Sequence, residues 1–142
     1  MNRLNKDVSK FRLDGQAALI TGATRGIGWA IARGMAESGS TVYVNGRDKK
    51  VLAARCKHLI DLGYDAKPAF FDATNIEAIN RFLDYTETPI DILVNNAAIR
   101  LRKPLNEISP KAFSEVLEAN LTSIYAISRS FASRLEDQQT NG

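Results

Sequence analysis

Short apolar runs alternate with segments of helical periodicity along most of this 142-residue chain. Four runs, rich in Val, Ile, Leu or Phe, have the length and composition of buried parallel strands. Between them, apolar residues recur at intervals of three and four, which is typical of helices that bury one face. The predicted strands are Ala17–Thr21, Thr41–Asn45, Ala66–Phe71 and Ile90–Asn95.

Two helices are predicted between the first three strands. The first extends from about Gly26 to Ser38, and Gly39 follows it as a stop signal. The second has Asp48 as its N-cap and ends at Gly63. The apolar residues expected to face the core are Ile27, Ile31 and Met35 in the first helix and Leu52, Leu59 and Ile60 in the second.

Two more helices are predicted in the second half of the chain. The third begins with a capping box formed by Thr74 and Glu77. The fourth has Ser109 as its N-cap and Pro110 as its first residue, and it continues as one helix through Phe131. The core-facing residues are expected to be Ile76, Ile79, Phe82 and Leu83 in the third helix and Val116, Leu117, Leu121 and Ile124 in the fourth.

The repeated order of strand and helix predicts an α/β fold. Right-handed crossovers would give a Rossmann-type, doubly wound parallel sheet in the order 3-2-1-4, with helices on both faces. We find no internal linker or repeat, so residues 1–142 are predicted to form a single domain. The fourth strand is expected to form an apolar edge of this sheet.

The segment Thr21–Gly28 reads TGATRGIG and lies where the first predicted strand gives way to the first helix. Its three glycines, Gly22, Gly26 and Gly28, permit a tight turn and a close approach of backbone to a ligand. The unpaired N–H groups at the helix start, with the positive end of the helix dipole, would face an anion. A strand before, a helix after and a second strand about twenty residues later make the motif specific. We therefore predict a nucleotide phosphate site here.

Composition narrows the range of partners. The chain is 44% hydrophobic and 25% charged, as is typical of soluble domains. It carries 19 Lys and Arg against 16 Asp and Glu, without a run of five like charges, so nucleic acid is not an expected partner. One cysteine and one histidine give no basis for an internal disulfide or a metal site. The sequence has no signal-like or membrane-length apolar segment, so we expect a cytoplasmic location and no membrane partner.

The glycine spacing resembles that of the short-chain dehydrogenase/reductase family. Three residues separate Gly22 from Gly26, and one separates Gly26 from Gly28. Further along the chain, residues 95–98 (NNAA) resemble the family's NNAG signature. The run AAIRLRKPL, which contains Arg100, Arg102 and Lys103, resembles the corresponding stretch of gluconate 5-dehydrogenase-type members, whose substrate is a sugar acid. Cations in that loop could receive a carboxylate.

The resemblance implies roles for individual residues. Asp72 matches the acidic residue that hydrogen-bonds the adenine amino group, with the Ala73 backbone beside it. The asparagines of the signature would tie the central sheet together, and its small residues would let the adenine ribose approach. The implied cofactor-binding residues are Gly22, Thr24, Arg25, Gly26, Ile27, Gly28, Asn45, Arg47, Asp72, Ala73, Asn95, Asn96 and Ala97.

The charges after the second strand bear on the choice of nucleotide. NAD(H) needs an acid there for its ribose hydroxyls, whereas NADP(H) needs cations for its phosphate. Here the strand is followed by Arg47, and Arg25 lies inside the glycine loop. Two arginines can bind one dianionic phosphate through charge-assisted bonds. NADP(H) is therefore favoured, with NAD(H) as the alternative, since Asp48 could reach a ribose if it were not the N-cap.

The resemblance also implies a catalytic Asn, Ser, Tyr, Lys tetrad. Asn120 matches its asparagine, whose carbonyl holds a water in a proton relay. In the family the other three follow the fourth helix, and no tyrosine of this sequence has a lysine four residues later. We therefore expect a truncated chain that lacks the C-terminal part of the family fold.

The predicted function is that of an NADP(H)-dependent oxidoreductase for a carbonyl or secondary alcohol, such as a sugar acid or polyol, present as its cofactor-binding part. The alternatives are a catalytically inactive nucleotide-binding fragment and a subunit-interaction module. In the family the fourth helix commonly forms a dimer interface, so self-association into a homo-oligomer is a further expectation.

Overall fold

One parallel sheet of four strands forms the centre of the fold. The computed structural model describes residues 8–140, with side chains described for 10–136; the remaining residues of the predicted 1–142 domain lie outside that range. The sheet order is β3-β2-β1-β4, which confirms the predicted topology. The strands are β1 (Ala17–Ile20), β2 (Thr41–Gly46), β3 (Ala66–Phe70) and β4 (Ile92–Val94).

Within residues 8–140, five α-helices connect and follow the strands. The predicted fourth helix begins at Pro110 with Ser109 as its N-cap, as expected, but a π-helical turn at Glu118–Thr122 interrupts its α-helical pattern and separates two α-helices. Short 3-10 segments lie at Val8–Phe11 and Leu105–Glu107. None of the described helices combines the length and the apolar character needed to cross a membrane. The helices are α1 (Gly26–Glu37), α2 (Lys49–Asp61), α3 (Ile76–Tyr85), α4 (Pro110–Leu117) and α5 (Ser123–Thr140).

The alternating side chains of β1 define two cores, one on each face of the sheet. Ala18 and Ile20 belong to the core that contains buried residues of α1 and α2. Ala17 and Leu19 belong to the opposite core, which contains residues of α3 and α5. All four of these β1 residues are fully buried. The doubly wound arrangement predicted from the sequence is therefore confirmed.

The buried face of α1 differs from the prediction. Ile27, expected to face the core, is 70% exposed. The buried residues are instead Gly28, Ala32 and Ala36, which lie four residues apart. Their small side chains let the helix backbone approach the sheet closely, whereas the larger Ile31 and Met35 pack at the margin of the core.

In α2, Leu52 and Leu59 are buried as predicted, but Ile60 is exposed and Cys56 takes the third inner position. Burial raises the pKa of the Cys56 thiol to about 11, so the side chain behaves as a neutral apolar group. Asp48 caps this helix as predicted, because its Oδ1 accepts hydrogen bonds from the N–H groups of Lys50 and Val51.

The capping box predicted for α3 is wrong. The N-cap is Asn75, whose Oδ1 accepts a hydrogen bond from Ala78 N at 3.0 Å. The hydroxyl of Thr74 instead donates to Asp72 Oδ1 at 2.8 Å. Asn75 directly precedes Ile76, the first residue of the helix, and its side chain therefore caps the N–H groups of the first turn. Thr74 is consequently available to orient Asp72.

Candidate cofactor-binding site

The loop between β1 and α1 lies at the point where the sheet order reverses. From β1 the chain goes first to β2 on one side, and β4 later pairs on the other. Crevices at the carboxyl ends of strands beside such a reversal are the usual ligand sites of open α/β sheets. The glycine-rich segment of residues 21–28 occupies this position.

Close packing explains two of the glycines. Gly22 has φ +62°, and a Cβ there would lie 3.0 Å from Ala97 Cα, in the segment after β4. A Cβ on Gly28 would lie 2.5 Å from the Gly22 carbonyl oxygen and closer still to Asn96 Nδ2. The loop, the start of α1 and the segment after β4 therefore pack backbone against backbone.

The N-terminus of α1 has no side-chain cap. Arg25 occupies the N-cap position in an extended conformation and makes no capping hydrogen bond. The first N–H groups of a helix have no partner inside the helix, and together with the helix dipole they attract anions. A ligand phosphate would satisfy them, which is the arrangement predicted from the glycine motif.

Thr21 connects this loop to β4 and was missed among the candidate residues. Its hydroxyl donates to Val94 O at 3.2 Å and accepts from the N–H groups of Asn96 and Ala97 at 2.9 and 3.0 Å. Asn96 Nδ2 donates in turn to the carbonyl oxygens of Thr21 and Gly22 at 2.9 and 3.1 Å. A threonine directly after a buried strand and before a glycine is the signal that could have identified it.

Asn45 fixes the same loop from the other side. It is buried, and its Oδ1 accepts from Gly22 N at 3.0 Å. Its Nδ2 donates to the carbonyl oxygens of Ala69 and Phe71 at 2.9 and 3.0 Å. The amide group thus joins the ends of β2 and β3 to the glycine loop. Asn45 therefore stabilises the conformation of the glycine loop.

The two arginines follow segments that touch each other. A Cβ on Gly46 would lie 2.5 Å from Thr24 Cγ2, so the end of β2 packs directly on the glycine loop. Arg47 directly follows Gly46, and Arg25 directly follows Thr24. The Arg47 side chain is 74% exposed, and its Nη1 lies 3.4 Å from Asp72 Oδ2. Arg25 is exposed as well, so both side chains are accessible to a ligand at this edge.

Asp72 lies beside Arg47, directly after β3. Partial burial alone would raise the pKa of its carboxyl group. Hydrogen bonds from the N–H and hydroxyl of Thr74 and from Arg47, with the charge of Arg47, outweigh burial and hold that pKa below its ordinary value. The carboxylate is consequently ionised at neutral pH and accepts hydrogen bonds. Ala73, the next residue, packs at the margin of the α3 and α5 core.

The remaining asparagines lie on the α5 side of the site. Asn95 Nδ2 donates to Ser128 Oγ at 2.9 Å, which joins the end of β4 to α5. Asn120 lies in the π-helical turn, where its amide bonds both the N–H and the carbonyl oxygen of Ile99 at 2.9 and 2.8 Å. Asn120 therefore holds the chain that follows the signature segment.

The core-facing residues predicted for the fourth helix are confirmed only in part, because Val116 and Ile124 are half-buried. Leu117 and Leu121 are exposed, and the buried residues of this region are Ala119, Ser123 and Ile127. In the π turn, the N–H of Ser123 donates to the carbonyl oxygen of Glu118, five residues earlier. The Ser123 hydroxyl donates to the same oxygen. Since this wider turn departs from the period of a regular helix, a 3.6-residue pattern carried into it predicts the wrong face for Leu121. It does not explain the exposure of Leu117, which precedes the turn.

A comparison of the sequence with known protein families agrees with the fold and the glycine loop described above. A family model described as short chain dehydrogenase covers residues 16–142. The chain belongs to the short-chain dehydrogenase family. The resemblance drawn from the glycine spacing is thereby confirmed, and the sheet topology agrees with that of solved members. Among the described residues, no group of three or more His, Cys, Asp or Glu could hold a metal ion.

Several family members are similar over most of the chain. Gluconate 5-dehydrogenase of Gluconobacter oxydans is 37% identical over 125 residues, which are 86% of this chain and 49% of that protein. A solved gluconate 5-dehydrogenase from Burkholderia cenocepacia, in complex with NADP and tartrate, has a TM-score of 0.81 and 36% identity and covers 90% of this chain and 51% of its own.

A solved 3-oxoacyl-[acyl-carrier protein] reductase from Brucella melitensis with bound NAD has a TM-score of 0.83 and 28% identity. That alignment covers 95% of this chain and 55% of the reductase. The chain therefore spans about half the length of the relatives that it matches.

Proposed function

We propose that this chain forms the dinucleotide-binding part of an oxidoreductase that uses NADP(H) and acts on a carbonyl or secondary alcohol. The observation that carries the proposal is the glycine loop, which leaves no space for a Cβ at Gly28 and ends in an uncapped helix N-terminus. Such a cradle fits the pyrophosphate of a dinucleotide. The solved relative from Burkholderia cenocepacia that binds NADP supports the choice of cofactor.

Residues at the carboxyl edge of the sheet would each bind a different part of the cofactor. The N–H groups at the start of α1 would hold the pyrophosphate, and Arg25 and Arg47 would bind the 2′-phosphate. The ionised Asp72, beside the Ala73 backbone, would accept a hydrogen bond from the adenine amino group. Thr21, Asn45 and Asn96 keep the loop in position through hydrogen bonds to backbone groups. The bound nicotinamide supplies or accepts the hydride.

We propose that Asn120 supports the reaction by holding a neighbouring loop in place. Its amide is hydrogen-bonded to both backbone groups of Ile99, and it therefore holds the loop that begins after the signature segment. No tyrosine of this sequence has a lysine four residues later. We therefore expect these 142 residues alone to bind the cofactor without catalysing hydride transfer.

A sugar acid or a related polyol is the proposed substrate class. The loop that Asn120 holds continues into Arg100, Arg102 and Lys103, and the two arginines and the lysine are exposed. Cations there could pair with a substrate carboxylate. The gluconate 5-dehydrogenase relatives, one of them solved with tartrate, support an acidic substrate.

Titration of the chain with NADPH and NADH tests the proposal. The two cofactors differ only in the 2′-phosphate, and one charge-assisted contact to it predicts at least about tenfold tighter binding of NADPH. Fluorescence of Trp29, the single tryptophan, and thermal unfolding are suitable readouts. Tighter binding of NADH would contradict the assignment of Arg25 and Arg47, and binding of neither would contradict the function.

A second candidate role, self-association, is favoured by one surface. Phe113, Leu117, Leu121 and Tyr125 are exposed at four-residue intervals along α4 and α5. Four residues exceed one α-helical turn, and the wider π turn between them helps to keep these side chains on one side. We propose that this apolar stripe binds a second copy of the chain.

Replacing Leu121 with Asp is expected to weaken such self-association, because a carboxylate in an apolar interface loses its hydration. The apparent mass from light scattering should fall toward that of one chain at equal concentration. Lys111→Asp, at an exposed position of α4 outside the stripe, is the control. An unchanged mass for the Leu121 variant, or a wild-type chain that is monomeric at high concentration, would contradict the interface.

A further inference from the structure

Arg55 of α2 connects three parts of the nucleotide site and is not among the residues assigned to it above. Its Nε donates a hydrogen bond to the main-chain oxygen of Thr24, in the glycine loop, at 2.8 Å. Its guanidinium carbon lies 4.6 Å from the centre of the Trp29 ring, in the first turn of α1. The half-buried Arg55 side chain thus spans from α2 to the loop and to α1.

The bond to Thr24 acts on the peptide unit that enters Arg25. In a planar trans peptide, the carbonyl of one residue and the N–H of the next point in opposite directions. Holding the Thr24 oxygen toward α2 therefore fixes the direction of the Arg25 N–H and restricts the backbone from which the Arg25 side chain extends. The contact of the Thr24 methyl group with Gly46 fixes the same residue from the β2 side.

The side chain of Arg25 has little else to orient it. It is exposed, and within residues 10–136 it makes no ion pair or side-chain hydrogen bond with another residue. The backbone conformation at Thr24 and Arg25, which Arg55 restricts, is consequently the main determinant of the direction in which the Arg25 side chain leaves the loop. The charge of Arg55 itself also lies next to the loop, where it raises the local positive potential.

We propose that Arg55 is a positioning residue for the 2′-phosphate subsite and contributes to the preference for NADP(H) over NAD(H). The inference rests on the proposed function. NADH has no 2′-phosphate, so loss of Arg55 reduces the binding of NADPH much more than that of NADH. A residue that only stabilised the fold would change both affinities alike.

Isothermal titration of NADPH and NADH into Arg55→Met and Lys57→Met tests the inference. Both substitutions remove one positive charge from α2, but among the described residues the Lys57 amine pairs with Asp61 alone, at 2.8 Å on the exposed side. Arg55→Met is expected to lower the ratio of NADPH to NADH affinity by about tenfold. Lys57→Met should leave that ratio at the wild-type value. Arg55→Lys keeps the charge but loses the planar stack on Trp29, and we expect an intermediate ratio.

Each result bears on the inference in a defined way. An unchanged ratio in Arg55→Met, whether both affinities fall equally or neither falls, overturns it. If Arg55→Met does not fold, the ratio measured for Arg55→Lys decides in the same way. A wild-type chain that does not prefer NADPH overturns the proposed cofactor together with this inference, whereas a wild-type preference that survives in the Arg55 variants overturns only the inference.

Discussion

Replacing Gly28 with alanine is expected to lower the free energy of unfolding by about 2 kcal/mol or more. The new Cβ would lie 2.5 Å from the Gly22 carbonyl oxygen and 3.0 Å from Ala23 Cα. These are backbone atoms, and Gly22 itself is held against Ala97 by its own close packing. The loop would have to move away from α1, so the phosphate site should be lost together with the stability.

Gly34→Ala provides the matched control in the same helix. A Cβ at Gly34 meets no atom within 4 Å. Since alanine has the higher helix propensity, this variant should be more stable than the wild type by about 0.5 to 1 kcal/mol. Urea unfolding of both variants therefore yields changes of opposite sign. A Gly28→Ala chain as stable as the wild type would contradict this prediction, because it would show that the loop can move away from α1 at little cost in free energy.

The topology was accessible from the sequence because it depends on features that are local and repeated. The apolar runs around Ala17 and Thr41 are short and buried on both faces, which only a sheet covered by helices on both sides accommodates. The glycine spacing then located the loop at the first strand. The order of the strands followed from chain connectivity and the handedness of crossovers.

What the sequence could not provide depends on contacts between distant segments. The inward face of α1 is set by how closely its backbone approaches the sheet, so Gly28 and Ala32 are buried while Ile27 is exposed. The π turn around Asn120 changes the helical period, and no residue pattern in the segment marks it. The bonds of Thr21 and Asn45 connect strands that are far apart along the chain.

Arg47→Asp is expected to weaken NADPH binding by about 2 to 3 kcal/mol, or about 100-fold, and to leave NADH binding nearly unchanged or slightly stronger. The substitution removes one of two cations at the proposed 2′-phosphate site and places a carboxylate near the ionised Asp72. Two carboxylates repel a dianionic phosphate, whereas a carboxylate after β2 can accept hydrogen bonds from the ribose hydroxyls of NADH. The preference between the two cofactors should therefore approach inversion.

The stability of the Arg47→Asp chain should change little, because the Arg47 side chain is largely exposed and exposed ion pairs contribute little. Arg33→Asp makes the same change of charge in α1, where Arg33 pairs with Glu37, and should leave the cofactor preference intact. Measuring both variants at low and high salt adds a second check, since screening weakens long-range attraction between an exposed cation and phosphate. Equal losses of NADPH and NADH affinity in Arg47→Asp would mean that Arg47 supports the fold of the edge, and the 2′-phosphate would then have to be bound by Arg25 without it.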